Sequence, residues 1–528
     1  MPLTALLGSA LLMTSPMQDL PPSKPAEAVV TIGEGTLVGR EDGDVRSFKG
    51  VRYAEPPVGA LRWRPPVAAG PWTGPRDAGQ VGAICIQPPA NGDNGVGPLP
   101  MSEDCLTLNV WAPKDEAGAT EALPVMVWIH GGGYINGSGT AALYDGTSLA
   151  RRGVVVVTLN YRLGRLGFFD HPALAADRQA SKEAAAEATA EAAGNYGVMD
   201  MIAALRWVRD NIAAFGGDPD QVTIFGESAG GVAVTQLMVA GPARGLFSKA
   251  IVQSGLGRQQ GVALEDVDDA TSLRSTRARG AAWAVGAGVQ PTAAALRAVP
   301  VERLLEPSPE FYGGDLIIND GSVLAQDVEA AFAAGVEAPV PLIIGTNSAE
   351  FWWMKPSDLT PYGEIDDALT PEERAAFLSG YGGQAGYDSF VLSDLVFNEP
   401  ARHLARLHAR NGNPTYLYRF DVVSAAMNEP HAGATHASER QYVFDTLSAS
   451  PWVTDARDQT AADVMSGYWT AFAKAGDPNG GGRLRWPDLR PEPDLLLEFT
   501  NDGPVVKPVP EAGRLDLIEQ LYGRRKAR

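Results

Sequence analysis

Short apolar runs separated by turn residues recur along this chain, and longer segments with helical periodicity lie between them. Residues 124–129, 154–159 and 222–225 are apolar at nearly every position, which is typical of strands buried on both faces. Residues 199–215 place their apolar side chains on one face of a helix. Strands that alternate with helices in this way predict an α/β fold, with a mostly parallel central sheet covered by helices on both faces.

Two regions depart from this alternation. Runs at residues 29–32, 36–38 and 48–53 are short and separated by turns, so they predict a small N-terminal antiparallel sheet. Residues 173–194 combine a strongly helical composition with almost no apolar face, so we expect a helical insertion on the surface there. Since no internal repeat or convincing linker is visible, residues 29–528 are expected to form one domain.

The N-terminal residues 1–28 allow two interpretations. A short apolar run precedes a proline-rich stretch, as in a secretory signal, but the basic residues that usually begin such a signal are absent. The alternative is a tail outside the fold. Cys85 and Cys105 are close enough in sequence to close one loop, which favours a secreted or periplasmic protein over a cytoplasmic one. Two inert buried thiols are the alternative.

Composition excludes several classes of partner. The 528 residues carry a formal net charge of −20, which argues against nucleic acid and anionic membrane surfaces as partners. No apolar stretch approaches the length of a membrane span. Histidine and cysteine spacings match no metal-ligand pattern, so we expect neither a metal nor an organic cofactor. Composition leaves the oligomeric state open.

A candidate nucleophile follows the apolar run at residues 222–225. Residues 226–230 read Gly-Glu-Ser-Ala-Gly, with Ser228 at the centre. In a Gly-x-Ser-x-Gly elbow, small residues allow so sharp a turn between strand and helix that the serine hydroxyl projects above the sheet. The pentapeptide alone is a weak signal, because small residues also cluster in ordinary turns. The strand-like run before it and the helix-compatible segment after it favour a catalytic serine.

A serine nucleophile needs a base, usually histidine, and a carboxylate that holds the imidazole in the right tautomer. After an elbow serine the carboxylate comes next in the chain and the histidine last. Glu350 follows a buried strand-like run and is the candidate acid. His431 and His436 both lie in a loop after a later strand, and spacing does not distinguish them. His403 and His408 lie in a charged, helix-like stretch that we expect to be solvated.

A candidate oxyanion hole follows the apolar run at residues 124–129. Residues 130–134 read His-Gly-Gly-Gly-Tyr, and three consecutive glycines let backbone N–H groups approach a substrate oxygen closely. A flexible turn is the alternative. The residue after the nucleophile, Ala229, supplies a further N–H group in such sites.

Together these motifs resemble those of the type-B carboxylesterases, a family that includes bacterial para-nitrobenzyl esterases, animal carboxylesterases and cholinesterases. The resemblance extends from residue 29 to residue 500. It is carried by residues 48–54, 56–59, 103–110, 131–133, 160–162, 215–219, 225–231 and 476–479.

The resemblance implies the α/β-hydrolase fold and ester hydrolysis through an acyl-enzyme on Ser228. The family's Gly-x-x-His-x-x-Glu pattern is met by Gly433, His436 and Glu439, which makes His436 the expected base in place of His431. The family's acid falls on Glu350. The implied oxyanion donors are the backbone N–H groups of Gly132, Gly133 and Ala229, and the implied disulfide is Cys85–Cys105.

Two departures from the family pattern bear on the substrate. The family usually has Asp-Glu-Gly around the acid, whereas residues 349–351 here read Ala-Glu-Phe and two tryptophans follow. These aromatic side chains narrow the acyl or alcohol pocket unless they pack in the core. The loop between the cysteines contains no aromatic residue that could stack on a quaternary ammonium, so choline esters are not expected substrates. The candidate pocket residues are Tyr134, Glu227, Trp352 and Trp353.

We therefore expect a serine carboxylesterase that acts on small-molecule esters with a Ser228, His436 and Glu350 triad. A specialised detoxifying hydrolase, or a polyester or amide hydrolase, is the alternative on the same triad. A non-catalytic binding relative is the rival from another class. That rival predicts a broken triad, and all three residue types are present here.

Overall fold

A sheet of thirteen strands lies at the centre of the part of the chain that the structure describes. The structure is a computed structural model. It describes residues 26–88, 99–114, 121–185, 193–258, 260–265, 275–306, 318–359, 362–427, 433–490 and 494–526.

The strands include those of the central sheet and three short pairs beside it. They are β1 (Glu27–Thr31), β2 (Thr36–Asp42), β3 (Val45–Arg52), β4 (Pro75–Asp77), β5 (Ile84–Cys85), β6 (Met101–Ser102), β7 (Thr107–Pro113), β8 (Leu123–Ile129), β9 (Val155–Leu159), β10 (Phe168–Phe169), β11 (Gly194–Asn195), β12 (Gly217–Glu227), β13 (Lys249–Gln253), β14 (Val262–Ala263), β15 (Ile318–Asn319), β16 (Leu342–Asn347), β17 (Thr415–Asp421), β18 (Leu495–Thr500) and β19 (Gly503–Pro508).

The α-helices occupy the connections between these strands and the C-terminus. They are α1 (Thr147–Arg151), α2 (Gly164–Gly167), α3 (Pro172–Ala185), α4 (Tyr196–Asn211), α5 (Ala229–Val239), α6 (Thr276–Gly286), α7 (Ala293–Arg297), α8 (Val301–Leu304), α9 (Val328–Ala334), α10 (Tyr362–Asp367), α11 (Pro371–Gly380), α12 (Gln384–Ser393), α13 (Glu399–Arg410), α14 (Arg440–Phe444), α15 (Ala456–Ala475) and α16 (Ala512–Lys526). A π-helical turn, Asp394–Asn398, joins α12 to α13.

Strand order explains where a site can form. The order across the sheet is β1-β2-β3-β7-β9-β8-β12-β13-β16-β17-β18-β19, with β4 beside β2. The seven strands from β9 to β18 in this order are parallel to one another. β12, β13, β16 and β17 are therefore adjacent, and the loops at their carboxyl ends meet at one edge, where ligands bind in open α/β sheets.

Helices cover both faces of this sheet, because its central strands are apolar on both. On β8, Val125 and Val127 belong to the core layer that contains α4 and α5. Met126 and Trp128 of the same strand belong to the opposite layer, which contains α15. Side chains alternate across a strand, so an unbroken apolar run buries both faces. The predicted α/β-hydrolase fold is confirmed.

The predicted N-terminal antiparallel sheet is present, and it is joined to the main sheet. β1, β2 and β3 pair antiparallel, and β3 continues the order by pairing antiparallel with β7. β1 begins at Glu27, before the expected start of the domain at residue 29. Residues 1–25, which contain the expected signal or tail, lie outside the described residues.

The expected surface insertion is helical as far as the structure describes it. Helix α3 covers Pro172–Ala185, and residues 186–192 lie outside the described part. Leu174 and Arg178 of this helix are buried, and Arg178 donates two hydrogen bonds of 2.9 Å to Asp170. The first turns of α3 thus pack on the body of the protein.

The prediction that His403 and His408 are solvated is wrong for His408, and His403 is half-buried. His408 is fully buried, with Nδ1 2.8 Å from Glu337 Oε1 and Nε2 2.8 Å from Val340 O. His403 Nε2 lies 3.1 Å from Glu329 Oε1. Helix α13 presents one face to the core, so polar residues on that face are buried together with hydrogen-bonding partners.

Cys85 and Cys105 form a disulfide across a sequence separation of 20 residues. Closing a loop of this size stabilises a fold by roughly 3 kcal/mol in the chain-entropy treatment. Among the described helices, none is both long and apolar enough to span a membrane.

Candidate active site

Strand β12 and helix α5 meet at Ser228. β12 ends at Glu227 and α5 begins at Ala229, so one residue makes the whole turn. Ser228 has φ 56° and ψ −125°, a conformation that L residues adopt rarely and at a cost in free energy. A Cβ on Gly226 would lie 2.5 Å from Gly230 O, and one on Gly230 would collide with the carbonyl of Ile129 at the end of the neighbouring strand β8. Only glycine fits at both flanking positions.

A hydrogen-bonded chain connects Ser228, His436 and Glu350 at the carboxyl edge of the sheet. Ser228 Oγ lies 2.9 Å from His436 Nε2, and His436 Nδ1 lies 2.6 Å from Glu350 Oε2. A carboxylate only accepts, so Nδ1 carries the proton and Nε2 can accept the serine proton. His431, the alternative base, lies outside the described residues.

Glu350 is fixed by the loop that follows β16. It is fully buried, and its Oε1 accepts hydrogen bonds from Ser254 Oγ at 2.6 Å and from Asn347 N at 2.7 Å. The backbone N–H group of His436 donates a hydrogen bond to the backbone carbonyl of Glu350 at 3.0 Å. The loops that carry the carboxylate and the imidazole are therefore joined through both backbone and side chains.

Two further buried carboxylates lie near the imidazole. Glu227 Oε1 is 3.3 Å from His436 Nε2. Glu439 accepts hydrogen bonds from Asn347 Nδ2 at 2.8 Å and from Gln253 Nε2 at 3.0 Å. With Glu350, three buried carboxylates act on one imidazole.

These charges alter the proton affinities of the site. Burial alone lowers the pKa of His436, but the carboxylates of Glu227 and Glu350 outweigh burial and raise it to about 8. Burial raises the pKa of Glu227 from 4.5 to about 7, although His436 and Arg440 act against that rise. Burial also raises the pKa of Glu439. The site therefore stabilises a positively charged imidazole, the form that arises when histidine takes a proton.

The glycine loop after β8 packs on the elbow. A Cβ on Gly131 would lie 3.1 Å from Ser228 Cβ. Gly132 and Gly133 have φ 107° and 62°, which glycine adopts without strain. Within the described part of the chain, no hydrogen bond uses the backbone N–H groups of Gly132, Gly133 or Ala229. These amides are free to donate to a substrate oxygen.

His130 holds the base of this loop. Its ring stacks on Tyr161 with centroids 4.3 Å apart, and its Nδ1 lies 2.8 Å from Gly131 O. Tyr161 donates from its hydroxyl to His130 O at 2.8 Å. Burial lowers the pKa of His130 to about 4, so the ring is neutral near pH 7.

Two phenylalanines lie against His436. The ring centroid of Phe351 is 4.9 Å from that of the imidazole, and the centroid of Phe397 is 4.8 Å away. Trp353 is 53% exposed, and its ring contacts Phe351 and Trp352. Of the aromatic residues that follow Glu350, Phe351 is thus the one whose ring contacts His436.

The other two pocket candidates, Glu227 and Tyr134, are both buried but contact different parts of the site. Glu227 is buried beside His436, as described above. Tyr134 is buried against Phe168, and its hydroxyl donates to Gln236 Oε1 at 2.9 Å. That hydrogen bond connects the glycine loop to helix α5, so Tyr134 helps to hold the loop in place.

Several residues of the site were not predicted from the sequence pattern. Phe397 reaches His436 from a π-helical turn, and Ser254, Asn347 and Gln253 reach the carboxylates from the ends of neighbouring strands. One available signal was Ser254, which follows an apolar strand-like run as Ser228 does. Without knowledge of strand order, nothing in the sequence places Ser254 beside Glu350.

A strained serine turn at the end of a central parallel strand is characteristic of one class of enzymes, the α/β-hydrolases. This chain has that fold and that turn.

Comparisons with known proteins narrow the class. The model of the carboxylesterase family matches residues 26–385 and 387–517. A fumonisin B1 esterase of Sphingopyxis macrogoltabida is 36% identical over 476 residues, covering 86% of this chain and 83% of that protein. A para-nitrobenzyl esterase of Bacillus subtilis (strain 168) is 35% identical over 483 residues, covering 88% and 93%. A solved structure of a PNB esterase has a TM-score of 0.76 at 31% identity, covering 93% of this chain and 99% of that one. The chain belongs to the carboxylesterase family and is a carboxylic ester hydrolase.

Proposed function

We propose that this chain hydrolyses small carboxylic esters by two acyl transfers, with Ser228 as nucleophile, His436 as base and Glu350 as the carboxylate partner. One observation carries the proposal. The hydrogen-bonded chain from Ser228 Oγ through both imidazole nitrogens to Glu350 Oε2 is continuous, at 2.9 Å and 2.6 Å. It begins at a serine whose strained backbone turns the hydroxyl out of the sheet.

In the first transfer, Ser228 Oγ attacks the ester carbonyl carbon and His436 Nε2 takes the hydroxyl proton. Negative charge moves to the carbonyl oxygen, where the N–H groups of Gly132, Gly133 and Ala229 donate hydrogen bonds to it. The imidazolium then protonates the leaving alcohol oxygen as the ester C–O bond breaks. Glu350 stabilises the imidazolium through the Nδ1–H hydrogen bond without taking its proton.

In the second transfer, water replaces the alcohol. His436 takes a proton from the water as its oxygen attacks the acyl carbon. The same imidazole returns that proton to Ser228 Oγ as the acyl–serine bond breaks. A carboxylic acid leaves, and the serine hydroxyl is restored.

The chain's organisation and compartment belong to the same proposal. Residues 29–528 act as one domain, since one sheet and the layers on its two faces contain all parts of the site. The Cys85–Cys105 disulfide supports a secreted or periplasmic location, because reducing compartments keep thiols free. Fractionation of expressing cells tests the location directly.

The test of the mechanism is hydrolysis of short para-nitrophenyl acyl esters by the wild type, Ser228→Ala and His436→Ala. Each variant loses one end of the proton-transfer pair, so we expect kcat to fall by roughly a million-fold, as in other triad enzymes. Ser248→Ala is the matched control. Ser248 precedes β13, at the end of that strand opposite to the site, and its hydroxyl donates a hydrogen bond to Val222 O at 3.3 Å. We expect it to retain wild-type activity.

A fluorophosphonate probe provides a second measurement. It should label the wild type at Ser228 and should not label Ser228→Ala, which peptide mapping by mass spectrometry will show. Labelling of another serine, or full turnover by folded His436→Ala, would refute the assigned roles.

A further inference from the structure

The imidazole of His436 is enclosed by aromatic rings. Phe351 meets it edge-on, with centroids 4.9 Å apart and an interplanar angle of 64°. Phe397 lies at 4.8 Å with an angle of 33°, and the two phenylalanine rings contact each other at 4.8 Å. Three rings thus form a closed triangle in which each contacts the other two.

This packing bears on which partner the imidazole meets. Nε2 lies 2.9 Å from Ser228 Oγ and 3.3 Å from Glu227 Oε1, so a small rotation of the ring would exchange the hydroxyl for the carboxylate. A protonated imidazole is drawn toward Glu227 by charge. Contacts on the ring faces and edges oppose such a rotation, because buried aromatic pairs resist rearrangement.

Phe397 owes its position to the π-helical turn Asp394–Asn398. Asp394 accepts hydrogen bonds from Tyr381 Oη at 2.8 Å and from Asn398 Nδ2 at 2.7 Å. Tyr522 of the C-terminal helix α16 donates to Leu395 O at 3.0 Å. Single π turns inside helices are rare and frequently lie at functional sites. Here the turn is anchored by the side chain of Tyr381, which follows α11, and by that of Tyr522 in α16.

The turn is also tied to the strand that precedes the acid. Thr346 Oγ1, near the end of β16, donates to Asn398 Oδ1 at 2.6 Å, and Phe351 N donates to Ser393 Oγ at 3.0 Å. Phe351 and Phe397 therefore approach the imidazole from two segments that are joined to each other. An apolar cluster behind them includes Leu256 and Leu392.

We propose that Phe351, held in place with Phe397, is a positioning and specificity-determining residue for ester hydrolysis. It keeps the His436 imidazole on Ser228 and away from Glu227, and it limits the width of the acyl or alcohol group that fits beside the base. This inference rests on the triad proposed above.

The decisive variant is Phe351→Gly, with Phe351→Leu as a milder change that retains apolar packing. Each is assayed on two series of esters. One series lengthens the acyl group from acetate to octanoate on a constant para-nitrophenol, and the other widens the alcohol on a constant acetyl group. Both series are needed, because the same ring can narrow either half of the pocket.

For Phe351→Gly we expect kcat on para-nitrophenyl acetate to fall about tenfold, because a displaced imidazole loses near-attack geometry. In at least one series, kcat/KM for the widest ester should rise at least tenfold relative to acetate. Phe351→Leu should lie between Phe351→Gly and the wild type. Partial unfolding lowers activity on all esters equally, so a reversal of preference cannot come from it.

Trp72→Ala is the control for loss of an aromatic ring away from the site, since the half-buried Trp72 lies by the N-terminal strands, where its Nε1 donates to Thr36 O at 3.3 Å and Arg76 lies over its ring. We expect its size preference to match the wild type. If Phe351→Gly is folded, labels normally with fluorophosphonate and keeps the wild-type preference in both series, the inference is wrong while the triad stands. If the wild type hydrolyses no ester and Ser228 takes no label, the proposed triad itself fails.

Discussion

The part of the site around Ser228, here called the nucleophile half, and the part around His436, the histidine half, differ in the size and chemistry of their residues. In the nucleophile half, residues 226–231 and the glycine loop at 131–133 are small, and the backbone itself supplies the turn and the N–H donors. In the histidine half, Glu350, Phe351, Phe397, His436 and Glu439 are large, and charge and ring packing decide the geometry.

The difference predicts how each half responds to change. A single added Cβ displaces backbone in the nucleophile half, since a Cβ on Gly132 would collide with the Asn136 carbonyl. The histidine half admits substitutions of similar shape, and these alter charge or tautomer without moving the fold. Variants of the first kind test geometry, and variants of the second kind test electrostatics.

Among the substitutions that leave Ser228 and His436 in place, the largest effect is expected from Glu350→Gln in the histidine half. The amide keeps the shape of the carboxylate but can donate to Nδ1, which leaves the proton on Nε2, where the serine proton must go. We expect kcat to fall roughly ten-thousand-fold, as when the triad aspartate of a serine protease becomes asparagine. Steady-state hydrolysis of para-nitrophenyl acetate measures it.

The matched control for this variant is Glu372→Gln on the exposed first turn of α11, which should retain full activity. Thermal unfolding of both variants checks the fold. A loss smaller than tenfold in a folded Glu350→Gln protein would mean that another carboxylate, such as Glu439, can orient the imidazole.

A smaller but still large effect is expected from Gly132→Ala in the nucleophile half. Its φ of 107° is unfavourable for alanine, and the added Cβ meets Asn136 O, so the loop must move and its N–H donors move with it. Loss of one oxyanion donor costs on the order of 100- to 1000-fold in kcat. The measurement is kcat on the same ester, together with the rate of fluorophosphonate labelling.

Gly74→Ala is the control for backbone strain alone. Gly74 also has a positive φ of 77°, but a Cβ there would meet nothing within 4 Å. We expect Gly74→Ala to lose some stability and no activity. If Gly132→Ala stays within threefold of the wild type, the glycine loop is not the oxyanion hole.

The two halves also differ in how far the sequence predicts them. The elbow is local, because strand, strained serine and flanking glycines are contiguous, and the structure contains that strand and that helix where the pattern predicts them. Glu350 and His436, the proposed acid and base, lie 86 residues apart in the chain. The pattern alone left His431 and His436 as equal candidates, and only the family resemblance favoured one of them.

Other parts of the histidine half depend on tertiary contacts that no local pattern contains. Phe397 reaches the imidazole because a π turn rotates it inward, and Ser254 reaches Glu350 because β13 and β16 are neighbours. For His408 the prediction was wrong in another way. Its charged neighbours in the sequence suggested exposure to solvent, but the helix face that bears it packs on the core. Periodicity predicts which face is apolar, and it does not identify the polar residues that find partners there.

The smallest effect, and the one that joins the two halves, is expected from Glu227→Gln. Glu227 belongs to the elbow sequence, but its carboxylate lies 3.3 Å from the imidazole of the other half. Only neutral His436 can take the serine proton, so wild-type kcat/KM should rise with pH through about 8, the pKa of His436. Removing the charge of Glu227, which raises that pKa, should move the midpoint of the profile to lower pH.

The shape of the profile separates this account from a general loss of activity. Glu227 itself has a pKa of about 7, so in the wild type two coupled groups titrate close together and the rise should be broader than that of one proton. In Glu227→Gln the rise should sharpen to one proton. Glu439→Gln is the comparison, because its charge acts on His436 less than those of Glu227 and Glu350, and its midpoint should move less. An unchanged midpoint in Glu227→Gln would mean that the charge of Glu227 does not affect the pKa of His436. The two halves of the site would then be electrostatically independent.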